Sequence, residues 1–382
     1  MTLLAFALPT LDGIAKLLMF LVMLSILVVL HEYGHFIVAR RNGVRVNDFA
    51  LGMGPTLLKW TSPRSGTNYK INAFPVGGYC AMKGEDGKTN EAEQQREFRG
   101  ANAAVHDEDN FQAKTPLQRL AIVVAGPIAN FIVALTILFF GALIFGLPSD
   151  NPTTRIMQLQ AGYPAEKVGM HVGDKITAVN GVAVSNGNEL VKIIHSSLGK
   201  PLHISYERGG TPLQADVTPR EGKDAKTGAP IGLIGFLPAA EFQRVGVAEA
   251  VKSSWSQFRF TIQSTLGALT GLIVHPQATA GQLQGPIGMA RVAGTVQDFG
   301  WAAYVSLAAT LSISLGIFNL LPIPALDGGR GIFILFEMLR GKPVDPEKEA
   351  LVHVGGFALL ICLMLFVSFH DIEKIVAGKG AF

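Results

Sequence analysis

Gly13-Ile-Ala-Lys-Leu-Leu-Met-Phe-Leu-Val-Met-Leu-Ser-Ile-Leu-Val-Val-Leu-His31-Glu32-Tyr33-Gly34-His35-Phe-Ile-Val-Ala39 reads as a membrane-spanning helix with a metal-binding pentad inside it. About 20 apolar residues cross the hydrocarbon of a bilayer, and Lys16 is the one charge in this run ahead of the pentad. On a helix, residues four apart share a face. His31 and His35 can therefore hold one metal while Glu32, one step round, points at the water such a metal would carry. On an exposed helix an H-E-x-x-H match says little, because His and Glu are common there. At membrane depth two imidazoles and a carboxylate are costly unless they face protein or water, and such groups are functional candidates by default. The pentad is read as a zinc site in which Glu32 takes a proton from an acidified water.

Outward from that stretch, the chain of 382 residues is 49% hydrophobic and 16% charged, with its apolar residues gathered in blocks. Four blocks approach spanning length, at about 14–39, 119–147, 302–321 and 351–369. The third carries Ser306, Thr310, Ser312 and Ser314, so a buried core helix and a span inside a helical bundle both fit it. The first block is expected to be a retained span rather than a signal peptide. Only Lys16 precedes its apolar core, no small-x-small cleavage site follows, and removal would delete the pentad.

Basic residues set the expected orientation. Arg40, Arg41, Arg45, Lys59, Arg64 and Lys70 follow the first block, Lys114 and Arg119 begin the second, and Arg330, Arg340, Lys342 and Lys348 separate the last two. By the positive-inside rule both loops are cytoplasmic, which puts the termini and residues 148–300 outside and the pentad toward the cytoplasmic end of its helix. The two cysteines, Cys80 and Cys362, fall in different environments, so no disulfide is expected and neither has zinc-ligand spacing. A net charge of +3, scattered along the chain, gives no reason to expect a nucleic-acid partner.

A catalytic zinc takes three protein ligands and leaves a fourth position open. The candidate third ligand lies far along the chain, in Asn319-Leu-Leu-Pro-Ile-Pro-Ala-Leu-Asp327-Gly-Gly-Arg330. Pro322 and Pro324 break the helix there, and Gly328-Gly329 permit tight turns. Backbone opened at membrane depth is tolerated only beside protein or a watered cavity, which places Asp327 like a ligand. Asp before Gly is also ordinary turn chemistry, and that reading stays open on these residues alone.

His31-Glu-Tyr-Gly-His35 in the first span, paired with Asn319-x-x-Pro-x-Pro-x-Leu-Asp327-Gly after the third, resembles the site-2 protease family (M50) of intramembrane zinc metalloproteases. Order and spacing are similar to the regulator of sigma-E protease branch over nearly the whole chain. The resemblance implies zinc held by His31, His35 and Asp327, with Glu32 as base and Asn319 touching the substrate backbone or developing oxyanion. Gly126-Pro-Ile-Ala-Asn130 matches another family motif, by which Asn130 helps hold the substrate, although the pattern alone reads as a helix-start turn.

Tyr69 to Met82 alternates apolar and polar residues as a strand does, with a bend at Pro75 and Gly77-Gly78. The resemblance makes this a β-hairpin dipping into the membrane beside the site, with Gly77 and Gly78 among the substrate-contacting residues. A helical substrate shields its peptide bonds, and an exposed strand edge could hold it extended by β-addition. A plain cytoplasmic hairpin is the alternative. Gly84 to Asn110 is polar and charge-rich and reads as a mobile loop.

Tyr163-Pro-Ala-Glu-Lys-Val-Gly-Met-His-Val-Gly-Asp174-Lys-Ile-Thr-Ala-Val-Asn180-Gly181 looks like the bacterial PDZ pattern, with a short helix from Pro164 and a strand after Gly173-Asp174. One such module fits; it could bind a peptide in its groove or reject bulky ectodomains. His171 and His195 read as surface residues. Residues 246–275 have the periodicity of an interfacial amphipathic helix, with Lys252 and Arg259 too polar to span. Gly285-Pro-Ile-Gly288 is another motif of the resembled family that would otherwise mean only a loop.

The expected organisation is a polytopic α-helical membrane protein with four transmembrane helices, a membrane-associated β-hairpin and one extracytoplasmic PDZ domain. Its segments are residues 1–46 with the pentad, 47–114 with the hairpin, 115–148 as the second span, and 149–222 as the PDZ domain. A linker at 223–300 holds the amphipathic helix, 301–330 is the third span with the Asp327 motif, 331–349 is cytoplasmic, and 350–382 is the fourth span and tail. The expected activity is zinc-dependent cleavage of single-span proteins, such as anti-sigma-factor-like proteins or residual signal peptides, in a bacterial cytoplasmic membrane. A scaffold or transporter component keeping a structural zinc, and a membrane-anchored protease for soluble substrates, are the other classes the motifs allow.

Overall fold

Long apolar runs become helices, even across Gly126-Pro127 in the second of them, and turn residues set where they stop. The computed structural model describes residues 11–85, 108–160, 162–224, 228–276, 285–342, 344 and 346–376. Helix α1 spans Leu11–Arg41, with Arg40 and Arg41 in its last turn, where cations suit the carbonyl end. Gly43, at φ +70°, then turns the chain into β1, Val46–Thr61, and β2, Asn68–Met82. Residues 86–107, most of the segment expected to be mobile, lie outside the described residues.

Helix α2, Pro116–Phe145, starts on a capping box. Thr115 Oγ1 accepts from Gln118 N–H, and the Gln118 side chain accepts from Thr115 N–H, with Pro116 in the first-turn position that needs no N–H. A β domain follows, with β3 (Leu147–Pro148), β4 (Ile156–Leu159), α3 (Pro164–Lys167), β5 (Lys175–Val179), β6 (Val182–Ala183) and α4 (Gly187–Ser196). It continues with β7 (Leu202–Arg208), β8 (Thr211–Val217), β9 (Arg220–Lys223), β10 (Pro230–Leu233), β11 (Phe236–Pro238) and β12 (Phe242–Gln243). The remaining helices are α5 (Val247–Val274), α6 (Pro286–Asp298), α7 (Trp301–Leu320), α8 (Asp327–Arg340) and α9 (Pro346–Val376). Among the described residues four helical segments are long and apolar enough to cross a membrane: α1, α2, α7 and Lys348–Glu373 of α9. These are the four expected blocks.

The chain divides into a helical body, 11–141 and 251–376, and a β unit, 142–250. Within the helical body, Gly34 allows α1 to lie against α2, since a Cβ there would come within 2.4 Å of the Ala125 carbonyl oxygen. Phe36, Ala39, Val46, Cys80, Met82, Ile122, Val123 and Ile334 form one buried cluster joining α1, the strands, α2 and α8. A second cluster, Ala134, Leu138, Phe258, Ala309, Ile313 and Ile317, joins α2, α5 and α7.

The strands beside α1 are more elaborate than a hairpin. The first half of β1 is flanked on both sides by β2, with Phe49 opposite Cys80 and Tyr69, and Leu51 opposite Gly78 and Ile71; the second half pairs Trp60 with Tyr69. Sequence reading found the 69–82 strand and not β1, because Gly52 and Gly54, at φ +79° and +87°, break its alternation and turn it back. Met53, Leu58, Trp60 and Phe74 stay exposed.

In the β unit the central sheet runs β6-β5-β7-β8, all antiparallel. Its core is Ile156, Ile176, Val179, Leu190, Ile194, Leu202, Ile204, Val217 and Ile234. Helix α3 starts at Pro164, and β5 follows Gly173-Asp174, as the 163–181 pattern requires. Pairing continues past the expected end at 222: β11 pairs with β4, and β12 with β3. Strands of two to four residues are too short for an alternation that sequence could reveal.

Gly285-Pro-Ile-Gly288 is a helix start rather than a loop. Gly285 precedes Pro286 at the head of α6, and the buried Asp371 of α9 accepts a hydrogen bond from Gly288 N–H at 2.9 Å.

Candidate metal centre and active site

Helices α1, α2 and α8 and the break between α7 and α8 assemble the site. Helix α1 carries His31 and His35 on one buried face, their ring centroids 4.8 Å apart. Helix α2 meets them through Gly126, where a Cβ would stand 2.2 Å from His35 Nε2 and 2.7 Å from His31 Nε2. Any larger residue would occupy the space between the two imidazoles. Helix α7 stops at Leu320 because Pro322 and Pro324 cannot continue it, and Ala325 takes φ +76°. Gly328 and Gly329 then fold under the turn, with β-carbon positions within 2.4 Å of the Leu320, Leu321 and Ile323 carbonyl oxygens. Asp327 is thereby delivered as the first residue of α8.

The three side chains converge. Asp327 Oδ2 lies 3.0 Å from His31 Nε2 and 3.3 Å from His35 Nε2, and the two Nε2 atoms are 3.1 Å apart. Ligands about 2.0–2.1 Å from a tetrahedral zinc stand roughly 3.3 Å from one another, so these separations fit the metal. Although Oδ2 is close to both imidazoles, it is buried without a hydrogen-bond partner. Three lone pairs facing one point explain that, whereas a hydrogen-bonded cluster would not. Among the described residues this is the one group of three or more His, Cys, Asp or Glu side chains that could hold a metal.

The outer ring nitrogens are held from α2. His35 Nδ1 donates to the Ile122 carbonyl at 2.8 Å, which leaves Nε2 free to bind metal. His31 Nδ1 is 3.0 Å from the Asn130 side-chain amide, and Asn130 is completely buried. The zinc-binding tautomer of His31 keeps its proton on Nδ1, and Asn130, whose Nδ2 is the atom at 3.0 Å, would serve it with the amide turned over so that Oδ1 faces that proton. With the amide nitrogen there instead, Oδ1 is left buried without a partner. Ser312 of α7 fixes this segment by donating to the Asn130 carbonyl at 2.8 Å.

A cavity of about 370 Å³ opens beside these groups, lined by Glu32, His35, Tyr79, Cys80, Met82, Asp327 and Arg330 among others. Arg330 pairs with Glu85 across it. The outer strand segment 79–82 forms one wall, and a Cβ on Gly78, just before it, would lie 3.7 Å from Glu32 Cγ. Burial pushes the Cys80 thiol up from its ordinary value, and the charges of Glu32 and Glu85 act in the same direction, so Cys80 enters the wall as a neutral thiol.

The structure thus brings His31, Glu32, His35 and Asp327 to one place and puts the fully buried Asn130 against an imidazole. Asn319 is half-buried at the end of α7 and does not line the cavity, and Gly77 and Gly78 sit at the bend leading into its wall. The sequence alone did not single out Gly126, Cys80, Arg330 or His353 as site residues. For Gly126 the signal was present, since a glycine inside an apolar helix marks a close approach.

Fold and site together define a zinc metalloprotease built among membrane-crossing helices, a multi-pass membrane protein. The chain belongs to peptidase family M50, whose description matches residues 19–363. It is 32% identical to the zinc metalloprotease RasP of Geobacillus kaustophilus, over 95% of this chain and 99% of that protein. It is 31% identical to the regulator of sigma-W protease RasP of Bacillus subtilis, over 93% of this chain and 98% of that protein. A solved PDZ domain of an SdrC-like protein from Listeria monocytogenes is 29% identical over 24% of this chain and 93% of its own, with a TM-score of 0.20. The β unit is PDZ-like in its own element order and in its 163–181 residues.

Proposed function

We propose that this protein cuts single-span membrane proteins within the bilayer of a bacterial cytoplasmic membrane, with anti-sigma-factor-like proteins or residual signal peptides as its substrate class. The observation that carries the reading is one cavity lined by Glu32, His35, Asp327 and residues 79–82, whose outer edge pairs with no further strand among the described residues. Metal chemistry and a means of straightening a peptide then meet at one point. A substrate helix hides its carbonyls in internal hydrogen bonds. Residues 78–82 would take it as an added strand, laying the scissile bond beside Glu32.

Bound at His31, His35 and Asp327, zinc supplies a Lewis acid that polarises the scissile carbonyl and acidifies the attacking water. Glu32 takes that water's proton and passes it to the leaving amine. Asn319 reaches the substrate backbone when substrate is present, and Gly77 with Gly78 leaves room for it along the strand. The PDZ-like unit meets the substrate's ectodomain or a peptide end outside the cytoplasm, and the basic loops and the site face inward. The sigma-W regulation in the Bacillus relative's name is consistent with an anti-sigma-factor-like substrate for this chain.

Glu32→Gln should keep zinc, because it alters no ligand, and should abolish cleavage of a reconstituted single-span substrate. Zinc retained together with native turnover would remove the protease reading, and a zinc-bound chain inactive on every single-span protein would favour a structural zinc. Comparative proteomics of membranes carrying the native or Glu32→Gln chain would identify substrates as trapped, truncated single-span proteins.

A further inference from the structure

The fourth apolar helix reaches the site through a residue that plays no part in the reading above. His353 of α9 accepts a hydrogen bond at Nδ1 from the Ala325 N–H, at 2.8 Å. Ala325 is one of two non-glycine residues with positive φ among those described, at +76°, a strained conformation for an L side chain. Two residues further on is Asp327. Helix α9 is pressed onto this turn, since a Cβ on Gly356 would lie 2.4 Å from Pro324 Cβ and 2.8 Å from its carbonyl oxygen. His353 itself lines the cavity that contains Glu32, His35 and Asp327.

Hydrogen-bond accounting fixes what this ring does. With Nδ1 accepting, the neutral ring carries its proton on Nε2. That atom is buried without a partner, and the nearest carboxylate oxygen recorded beside it, Glu349 Oε1, is 3.9 Å away. The only hydrogen bond the ring makes among the described residues is the one to Ala325. A histidine half-buried in a spanning helix with a single backbone N–H as its partner is costly, and here that N–H belongs to the strained residue on which the aspartate's position depends.

We propose that His353 is a positioning residue for the third metal ligand: its hydrogen bond holds the left-handed turn at Ala325, and the turn sets where Asp327 Oδ2 stands relative to the two imidazoles. The inference rests on the assignment of His31, His35 and Asp327 as the metal site. The fourth spanning helix then acts on the chemistry through the position of Asp327.

The test compares His353→Leu with His353→Asn in the full-length chain in nanodiscs. The two replacements leave similar space, and only Asn offers an acceptor to Ala325. Zinc affinity is read by competition with a fluorescent chelator, and the melting temperature is taken on the metal-free chain. The expected result is zinc binding weakened about tenfold or more in His353→Leu, within the range for groups supporting a metal ligand, and within about threefold of native in His353→Asn. Adding Ala325→Gly to His353→Leu, which removes the strain, should recover part of the loss. Equal zinc affinity in the Leu, Asn and native chains would overturn the proposal, as would parallel losses in Leu and Asn that follow a lowered metal-free melting temperature. If His353→Leu does not fold, His353→Phe replaces it and is judged in the same way. A native chain that binds no zinc, or a His31→Ala chain that binds it as tightly as native, would instead sink the site assignment.

Discussion

Gly126 lies so close to His35 that a β-carbon on it would come within 2.2 Å of Nε2, the atom that faces the metal position. The imidazole cannot retreat, because its other nitrogen is tied to the Ile122 carbonyl. Gly126→Ala is therefore expected to cost zinc affinity and at least a hundredfold in cleavage while the chain still inserts and folds. Metal content of the purified variant, measured beside its melting temperature, checks this; native zinc content would show that the helices give way.

Asn130→Ala should weaken zinc binding about ten- to a hundredfold by releasing His31 Nδ1, whereas Asn130→Asp, whose oxygen can accept the Nδ1 proton, should stay nearer native. A residue that only contacted substrate would alter KM and leave metal affinity untouched. Competition with a chelator at equilibrium separates the two.

Gly78 faces Glu32 from the strand edge, and a Cβ there would lie 2.8 Å from the Ala50 carbonyl oxygen across the ladder. Gly78→Val should push residues 78–82 off the neighbouring strand and raise KM severalfold or more with zinc content unchanged. Steady-state kinetics on a reconstituted substrate provides the measurement, and an unaltered KM would argue against strand addition at this edge.

Asp174 is buried in the PDZ-like unit, and both its oxygens accept from Arg208 at 2.8 Å. Burial alone would raise its carboxyl, but Arg208 and the His171 N–H outweigh that and hold it below the ordinary carboxylate range. A carboxyl depressed in the fold contributes stability that is complete above its unfolded value, about 3.9, and fades as pH falls through the folded value. Arg208→Ala should destabilise the unit by about 2 kcal/mol at neutral pH, with the gap to native narrowing below about pH 4. Thermal unfolding of both chains across that range would show it; a gap independent of pH would mean the pair matters only through packing.

Much of this was legible in the sequence because the signals were local or chemically expensive. The helix from Leu11 to Arg41 is an unbroken apolar run, and its pentad needs only the helical repeat to put two imidazoles side by side. Asp327 was readable as a ligand because the prolines at 322 and 324 end the preceding helix and open the backbone just ahead of it. The remainder depended on contacts between distant segments. Nothing in Val46–Thr61 declares a strand, since it exists through pairing with residues 7 to 36 positions later, from Thr61 with Asn68 to Val46 with Met82. Asn130 was assigned to the substrate by motif; only the crossing of α1 and α2 puts it on a ring nitrogen. His353 carries no motif, and its partner lies 28 residues earlier in a turn whose handedness no pattern announces.

The pairing of Leu147–Pro148 with Phe242–Gln243 means that the polypeptide enters and leaves the PDZ-like unit through neighbouring strands. About five ångströms separate such paired backbones, the reach of one or two residues. The unit is a cassette spliced into one point of the chain. It can be lost, doubled or exchanged over generations while the α2 and α5 ends it interrupts still face a gap that a short peptide could bridge, so the sorting of substrates can evolve separately from the chemistry that cuts them.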